Sequence, residues 1–520
     1  MYITVFLILD NNKDTIRETI KMEYDIIFVT GERFFDHPLC GVAILKRLLE
    51  KYGYKVGVIE KPQKDEEVTR LGRPKLFFGV TSGSIDSMVR NYTPLKKLRE
   101  EDKHMEYNES VPDRAVIVFS NWIKKNFKSS IIVLGGTESS LRRFVHYDYW
   151  DNKIRKPIMF DSRADILAYG CAEKQILEIA NRIKNNLPLA NIAGTCIITK
   201  ENNPSAKKLP SYEEVYNSKE KFCDMQNMLS NNEDLIQKID NRYILQYKSP
   251  KYTSKDMDEY YGLDFTRKSP KELRGFEFSV VTHRGCIGNC NFCSLRLIQG
   301  DKIISRSEES ILDEIRKITL LHNFKGNIDD LGGPSANMYG MDCSKCDGDC
   351  INCKTLDRSN KRLINLLRKA RSIPGVKNVY IKSGIRYDLA SPEYIKEVAK
   401  HHIFDTLKIG PEHVNKNILR LMNKDKGDLR NFIHEFEKTG KKLSFYFMAV
   451  HPGSTMEEAK ELAKAIKSLT NIESVQLFTP TPMTVSTCMY YTSMDPKTKQ
   501  KIYVPYSYSE KKAQKRLLLK

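Results

Sequence analysis

Thr282-His283-Arg284-Gly285-Cys286-Ile287-Gly288-Asn289-Cys290-Asn291-Phe292-Cys293 follows directly on an apolar run, 276–282, that reads as a β-strand. The cysteines stand at C-x3-C-x2-C. Three thiolates on one short loop converge on three corners of a cubane cluster, and soft thiolates suit iron–sulfur chemistry. Gly285 and Gly288 supply the backbone freedom that a tight wrap needs. The motif holds no fourth ligand, and an open metal position is what a catalytic centre requires. From this strand onward the pattern alternates. Strand signals cover 276–282, 328–331, 379–382, 406–409, 443–450 and 475–478. Helical periodicity covers 310–321, 361–371, 392–401, 417–422 with 429–438, and 456–469. About six β/α units result, which predicts a partial (β/α)6 barrel with its active site at the C-terminal strand ends.

Upstream, 24–199 alternates in the same way. Short apolar runs at 25–31, 55–59, 75–80, 130–134 and 165–169 are interleaved with amphipathic stretches at 41–52, 113–127 and 175–185. That predicts a Rossmann-like α/β domain with a parallel sheet. Residues 200–270 are polar with weak periodicity and read as a partly irregular connector with short helices. The barrel is expected over 271–495 with a cysteine-rich insert at 341–354. An N-terminal extension (1–23) and a basic helix-like tail (496–520) flank these parts. At 520 residues the chain exceeds one hydrophobic core. No run approaches a membrane span and the apolar start is a poor signal peptide, so a cytoplasmic protein is expected. The net charge of +19 is spread along the chain rather than gathered in one stripe, the basic tail apart.

The cysteine loop resembles the signature of the radical S-adenosylmethionine (SAM) superfamily. The resemblance implies that Cys286, Cys290 and Cys293 hold a [4Fe–4S] cluster whose open iron chelates SAM. One-electron reduction then yields a 5′-deoxyadenosyl radical for hydrogen abstraction. Phe292 occupies the place beside the adenine. Gly332 and Gly333, ending the second strand, resemble the Gly-Gly-Glu element that meets the SAM amino group, with Pro334 where the glutamate would stand; a tight strand-end turn accounts for them equally. Ser383 and Arg386 end the third strand, where the family places polar groups for the SAM carboxylate or ribose; a surface arginine is the competing reading. Glu412 and His413 end the fourth, as ribose contact and general acid or base, with a structural role favoured for His413.

Over nearly its whole length the chain resembles the YgiQ family. The strings that carry the match include Asp36-His37-Pro38, Leu134-Gly135-Gly136-Thr137-Glu138, His146-Tyr147-Asp148-Tyr149-Trp150, Gly332-Gly333-Pro334-Ser335-Ala336-Asn337, Pro411-Glu412-His413 and Thr479-Pro480-Thr481-Pro482-Met483.

Seven of the 12 cysteines fall between Cys286 and Cys353. Cys343, Cys346, Cys350 and Cys353 form a second group, C-x2-C-x3-C-x2-C, whose spacing suits a structural zinc or an auxiliary [4Fe–4S] cluster. The cobalamin signature Asp-x-His-x-x-Gly is not met, because Asp36 and His37 are adjacent and Gly41 lies four after His37, so cobalamin is not expected on that loop. The leading expectation is a radical SAM enzyme served by an electron donor such as flavodoxin or ferredoxin. Its substrate is not specified by the motifs. The alternatives are a tRNA- or nucleic-acid-modifying radical SAM enzyme, or a non-enzymatic iron–sulfur redox sensor that binds RNA. The open cluster corner argues against the sensor.

Overall fold

The computed structural model describes residues 23–99, 111–268, 275–343, 345 and 349–518. All but the last residue of the extension expected over 1–23, and Cys346, lie outside the described residues.

Ile26–Thr30 (β1) is buried at every position. It lies parallel between Val56–Glu60 (β2) and Phe77–Thr81 (β3), with Ile26 opposite both Val56 and Phe77. A strand without polar alternation belongs at the centre of a parallel sheet covered on both faces. The helix Gly41–Lys51 (α1) supplies one cover, burying Val42, Ala43, Ile44, Leu48 and Leu49. Ala115–Asn126 (α2) follows, then Ile131–Leu134 (β4), Ile166–Ala168 (β5) and Glu173–Lys184 (α3). This is the α/β pattern that the sequence predicts.

The sheet does not stop there. Thr195–Thr199 (β6), Lys207–Leu209 (β7), Leu235–Ile239 (β8) and Arg242–Gln246 (β9) extend it to nine strands in the order β2-β1-β3-β4-β5-β6-β9-β8-β7. The stretch 200–270, expected as a connector, thus gives three strands to the first domain. Its periodicity is masked by glutamines at core positions. Gln237 and Gln246 are both fully buried. Gln237 accepts from the Val145 amide at 3.0 Å and donates to the Pro210 carbonyl at 2.8 Å. Gln246 accepts from Arg143 at 2.7 Å. Hydrogen-bonded amides are tolerated inside, but they read as surface in a hydropathy pattern.

The barrel follows the expected order. Its strands are Ser279–Val281 (β10), Asp330–Gly332 (β11), Asn378–Val379 (β12), Thr406–Glu412 (β13), Lys442–Ala449 (β14) and Ile472–Leu477 (β15). β10 pairs parallel with β11, and β13, β14 and β15 pair parallel in sequence order. Asn327–Ile328 pairs with β12, and a parallel bridge Ile385–Ile409 joins the third strand region to the fourth. The helices between are Glu308–Thr319 (α4), Lys361–Arg371 (α5), Pro392–His401 (α6), Leu429–Glu437 (α7) and Met456–Lys467 (α8). Val485–Thr492 (α9) and Tyr508–Leu518 (α10) close the chain. The expected tail is therefore a docked helix. Lys511, Gln514 and Leu518 are buried, and Gln514 Nε2 donates to the Ser454 carbonyl at 2.9 Å. Among the described residues no helix is long and apolar enough to cross a membrane.

Candidate functional site

The cysteine loop leaves β10 through His283–Arg284, which pairs antiparallel with Ile304–Ser305 and closes the loop at its base. Gly285 has φ +88°, and a Cβ there would sit 1.8 Å from the Lys302 carbonyl oxygen. Only glycine fits. The Cys286 amide donates to the Gly300 carbonyl at 3.1 Å, and the Cys293 amide to the Cys290 carbonyl at 3.1 Å. Two asparagines pin the stretch between them. Asn289 takes a left-handed conformation (φ +48°), and its carbonyl accepts from Asn423 Nδ2 at 2.7 Å. The Asn291 amide donates to Met422 at 2.9 Å, its Nδ2 to Leu421 at 2.8 Å, and its carbonyl accepts from the Ser486 amide at 2.9 Å. The thiols therefore ride on a backbone held from several sides, including the first turn of α9.

Arg386 ties this loop to the third strand region. Its Nη1 donates to Cys290 Sγ at 3.3 Å, while Nε and Nη2 grip Asp388 at 3.0 and 2.7 Å. Both side chains of the pair are nearly inaccessible. Burial alone would lower the guanidinium pKa, but Cys290 and Asp388 outweigh it and raise it. A Cβ on Gly288 would lie 2.4 Å from Arg386 Nη1 and 3.4 Å from Cys286 Sγ. Arginine and sulfur thus close on bare backbone there, a cradle that a side chain would fill. Burial pushes the Cys286 thiol up, and the Cys293 thiol up to about 12. Lys424 opposes both shifts. The donor set is soft thiols with two cationic neighbours, Arg386 and Lys424, and it fits a thiolate-bound iron–sulfur cluster.

The other candidates sit at strand ends. The Gly332 carbonyl accepts from the Thr282 amide at 2.8 Å. A Cβ on Gly333 would meet the His283 ring at 2.5 Å, and one on Gly332 would stand 3.4 Å from Ser383 Oγ. Gly332 and Ser383 are thus neighbours. The Ser383 hydroxyl donates to Asp330. Asn337 clamps the Arg386 backbone, donating to its carbonyl at 2.8 Å and accepting from its amide at 3.0 Å. Glu412 ends β13 at φ +67° and pairs with Lys424 at 3.3 Å. Phe292 meets His451 edge to face, centroids 6.5 Å apart.

His413, expected as either catalytic or structural, is 1% exposed, and burial lowers its pKa to about 4. Its Nδ1 accepts from the Asn415 amide at 3.0 Å, and its Nε2 has no partner. It is a neutral buried ring. Lys424 and Asp388 escape sequence reasoning, because they reach the site from a loop and a turn with no motif of their own. His451 lies in His451-Pro452-Gly453, one of the strings that resemble the YgiQ family, but the string assigns it no role at the site.

In the second cysteine group, Cys350 and Ile351 are buried in an apolar cluster with Ile287, Met338 and Met341, against which Cys286, Cys343 and Cys353 pack. The insert therefore packs against the first cysteine loop. Cys353 Sγ lies 3.2 Å from Thr355 Oγ1. Among the described residues no three His, Cys, Asp or Glu side chains are gathered to hold one metal ion. A cavity of about 1750 Å3 opens beside Cys290 and Cys293 and runs between the barrel, Gly170 and Cys171 of the first domain, and Cys343 of the insert. Gly332, Gly333, Ser383, Arg386 and Glu412 are not on its wall. In the first domain, His37 is 1% exposed. Its Nδ1 accepts from the Leu39 amide at 3.0 Å, so its Nε2 carries the proton and donates to the Glu277 carbonyl at 3.0 Å.

Comparison with known proteins gives the following. Residues 8–278 match the family model "Radical SAM N-terminal", and residues 280–466 match "Radical SAM superfamily". UPF0313 protein MJ1155 of Methanocaldococcus jannaschii is 43% identical over 99% of this chain and 92% of that protein. UPF0313 protein FN0734 of Fusobacterium nucleatum is 41% identical over 94% and 95%. Among solved structures, the radical SAM methyltransferase TsrM of Kitasatospora setae, with cobalamin and a [4Fe–4S] cluster bound, superposes with TM-score 0.52 at 15% identity, covering 89% of this chain and 77% of that one. The cobalamin-dependent enzyme OxsB, with aqua-cobalamin bound, gives 0.50 at 12% identity, over 89% and 55%. At such identities the likeness is one of fold.

Proposed function

This chain belongs to the UPF0313 family, the YgiQ family of radical SAM proteins, and from that premise we propose that Cys286, Cys290 and Cys293 are the thiolates that hold its [4Fe–4S] cluster. The chain is a radical SAM enzyme. A cluster bound at these thiols supplies the electron that cleaves SAM to a 5′-deoxyadenosyl radical, which abstracts hydrogen from substrate. The carrying observation is that three thiols share one rigid loop whose motif has no fourth ligand, with the Arg386 guanidinium on Cys290 Sγ.

The protein's own groups have the following proposed tasks. Metal binding needs thiolates, and burial keeps Cys286 and Cys293 protonated until a metal displaces the proton. Arg386 and Lys424 offset the negative charge of the loaded site. Arg386 is already committed to Asp388 and Cys290, so a role in positioning the cysteine loop is favoured over a free salt bridge to the SAM carboxylate. Phe292 offers a ring for adenine, with His451 packed against it edge to face. Gly332 and Gly333 offer backbone that an amino group can approach. Ser383 and Glu412 are the proposed polar contacts to the remainder of SAM. The four insert cysteines are proposed as a second metal site.

Cobalamin, which the TsrM and OxsB structures hold, is not proposed on the Asp36-His37 loop. Both ring nitrogens of His37 are engaged within the chain, which leaves no lone pair for a metal. The external electron is proposed to come from a flavodoxin or ferredoxin, and the setting to be cytoplasmic.

The test is anaerobic reconstitution with iron and sulfide, followed by dithionite and SAM. 5′-Deoxyadenosine should form slowly in wild type and not in Cys290→Ala. A fully loaded, reducible wild-type protein that yields none, even in cell extract, would overturn the reading.

A further inference from the structure

Away from the cysteine loop, Lys96, Lys219 and Lys511 share a pocket of about 490 Å3 with the phenols of Tyr147, Tyr490 and Tyr506. No carboxylate stands among the described residues of its wall. Lys511 is 7% exposed, on the buried face of α10 with Gln514 and Leu518. Its Nζ donates to Tyr490 Oη at 2.9 Å and Tyr149 Oη at 3.2 Å, so one of its three N–H groups is free to reach a ligand. The Lys96 and Lys511 ammonium groups lie 4.7 and 5.2 Å from the centroid of the same Tyr149 ring. Two like charges thus stand close to one aromatic ring.

Among the described residues, the acids nearest Lys96 and Lys511 are already paired. Asp148 and Asp151 pair with Arg114 at 3.0 and 2.9 Å, and Asp151 also pairs with Arg155 at 2.9 Å. Glu510 accepts from the Tyr503 hydroxyl. Burial, then Lys96, hold the Lys511 amine down at about 8, and burial lowers Lys96 as well. Lys96 and Lys219 are exposed, Lys96 donating to the Trp150 carbonyl at 3.2 Å, but Lys511 is buried. A buried charge without a counter-ion is costly, and neutral phenols answer it only in part.

We propose that this pocket is a binding site for a phosphate-bearing small molecule. A multiply charged oxyanion meets three ammonium groups, where a single carboxylate would leave most of their charge unanswered; lysine acts as a point-charge phosphate ligand. The volume falls within the roughly 300–1,000 Å3 of small-molecule sites. The pocket also has a route to the cysteine loop. Tyr490 belongs to α9, whose Ser486 amide holds the Asn291 carbonyl at 2.9 Å.

The test is calorimetric titration of the full chain with inorganic phosphate and, separately, glycerol phosphate, at ionic strength fixed with chloride. Saturable binding of one ligand per chain is expected, weakened at least tenfold in Lys511→Met and in Lys96→Gln. Lys96→Gln alone suffices if the buried substitution prevents folding. Tighter binding of glycerol phosphate would assign the site to an organic ester, and equal affinity to the phosphate group itself. No saturable heat with either, or affinity unchanged in the variants that fold, would overturn the proposal.

Discussion

Arg386 is the side chain on which the most geometry converges. Its guanidinium spends two donors on Asp388 and a third on Cys290 Sγ. Arg386→Ala strands the Asp388 carboxylate in the interior. Removing one partner of a buried pair costs about 3–5 kcal/mol. An unfolding free energy lower by that amount, read as a lower urea midpoint at unchanged m, is expected, with a smaller loss in Arg386→Lys, which keeps the charge but cannot bridge two oxygens and a sulfur at once. A loss under about 1 kcal/mol, the range of solvated surface pairs, would show that the pair is not desolvated. The cysteines and Arg386 are legible in the sequence because spacing and strand position mark them. Asp388 and Lys424 are not. Asp388 sits in a 3-10 turn and Lys424 after a short helix, so only folding brings them to the sulfur.

Elements were legible wherever apolar residues repeat with a regular period. α5 and α6 begin and end where the pattern predicts, 361–371 and 392–401, and both are strongly two-faced. The strands β8 and β9 were not, because buried glutamines interrupt their apolar pattern. β7 is only three residues long, and α10 reads as helix-like in the sequence but not as docked. In α10 the buried face includes Lys511 and Gln514. Gln514 is fully buried, and its amide donates to the Ser454 carbonyl at 2.9 Å while accepting from the Ser454 hydroxyl at 3.3 Å. Gln514→Ala should therefore cost about 1–3 kcal/mol, the penalty for a buried polar group left without its partner. Arg516→Ala, two residues on and exposed, should cost almost nothing. Equal midpoints for the two variants in urea would mean that the helix is not docked as described.

The whole molecule joins two α/β halves that alternation of strand and helix announced, although the first sheet is parallel over β1–β5 and pairs β5–β6, β6–β9 and β8–β9 antiparallel. Their junction was not announced, since its partners lie far apart in sequence. His37, after β1, donates to the Glu277 carbonyl at the mouth of β10, and Arg284 pairs with Glu173 of the first domain at 2.7 Å. His37 is one of several buried neutral histidines. Burial, then Arg267, lowers His37 to about 4; burial, then Arg142, lowers His146 to about 3; burial leads the fall of His451 to about 3. An unfolded histidine titrates near 6.5. Between that value and the folded one, the unfolded chain holds a proton that the native state does not. Stability therefore falls as pH falls through this window, by up to about 1.4 kcal/mol per pH unit for each such ring. Carboxylates with lowered values, such as Asp36 and Asp148, contribute stability that is lost only at lower pH, as protonation approaches their folded values. Acid loss beginning near pH 6 is thus the mark of the histidines. In urea titrations at pH 7 and pH 5, wild type should lose several kcal/mol. His37→Gln should lose roughly 2 kcal/mol less over that interval, whatever its stability at pH 7, because about 1.5 pH units of one ring's proton linkage are gone. If His37→Gln loses as much as wild type between the two pH values, His37 is not neutral in the folded protein, and the junction is not built on its proton.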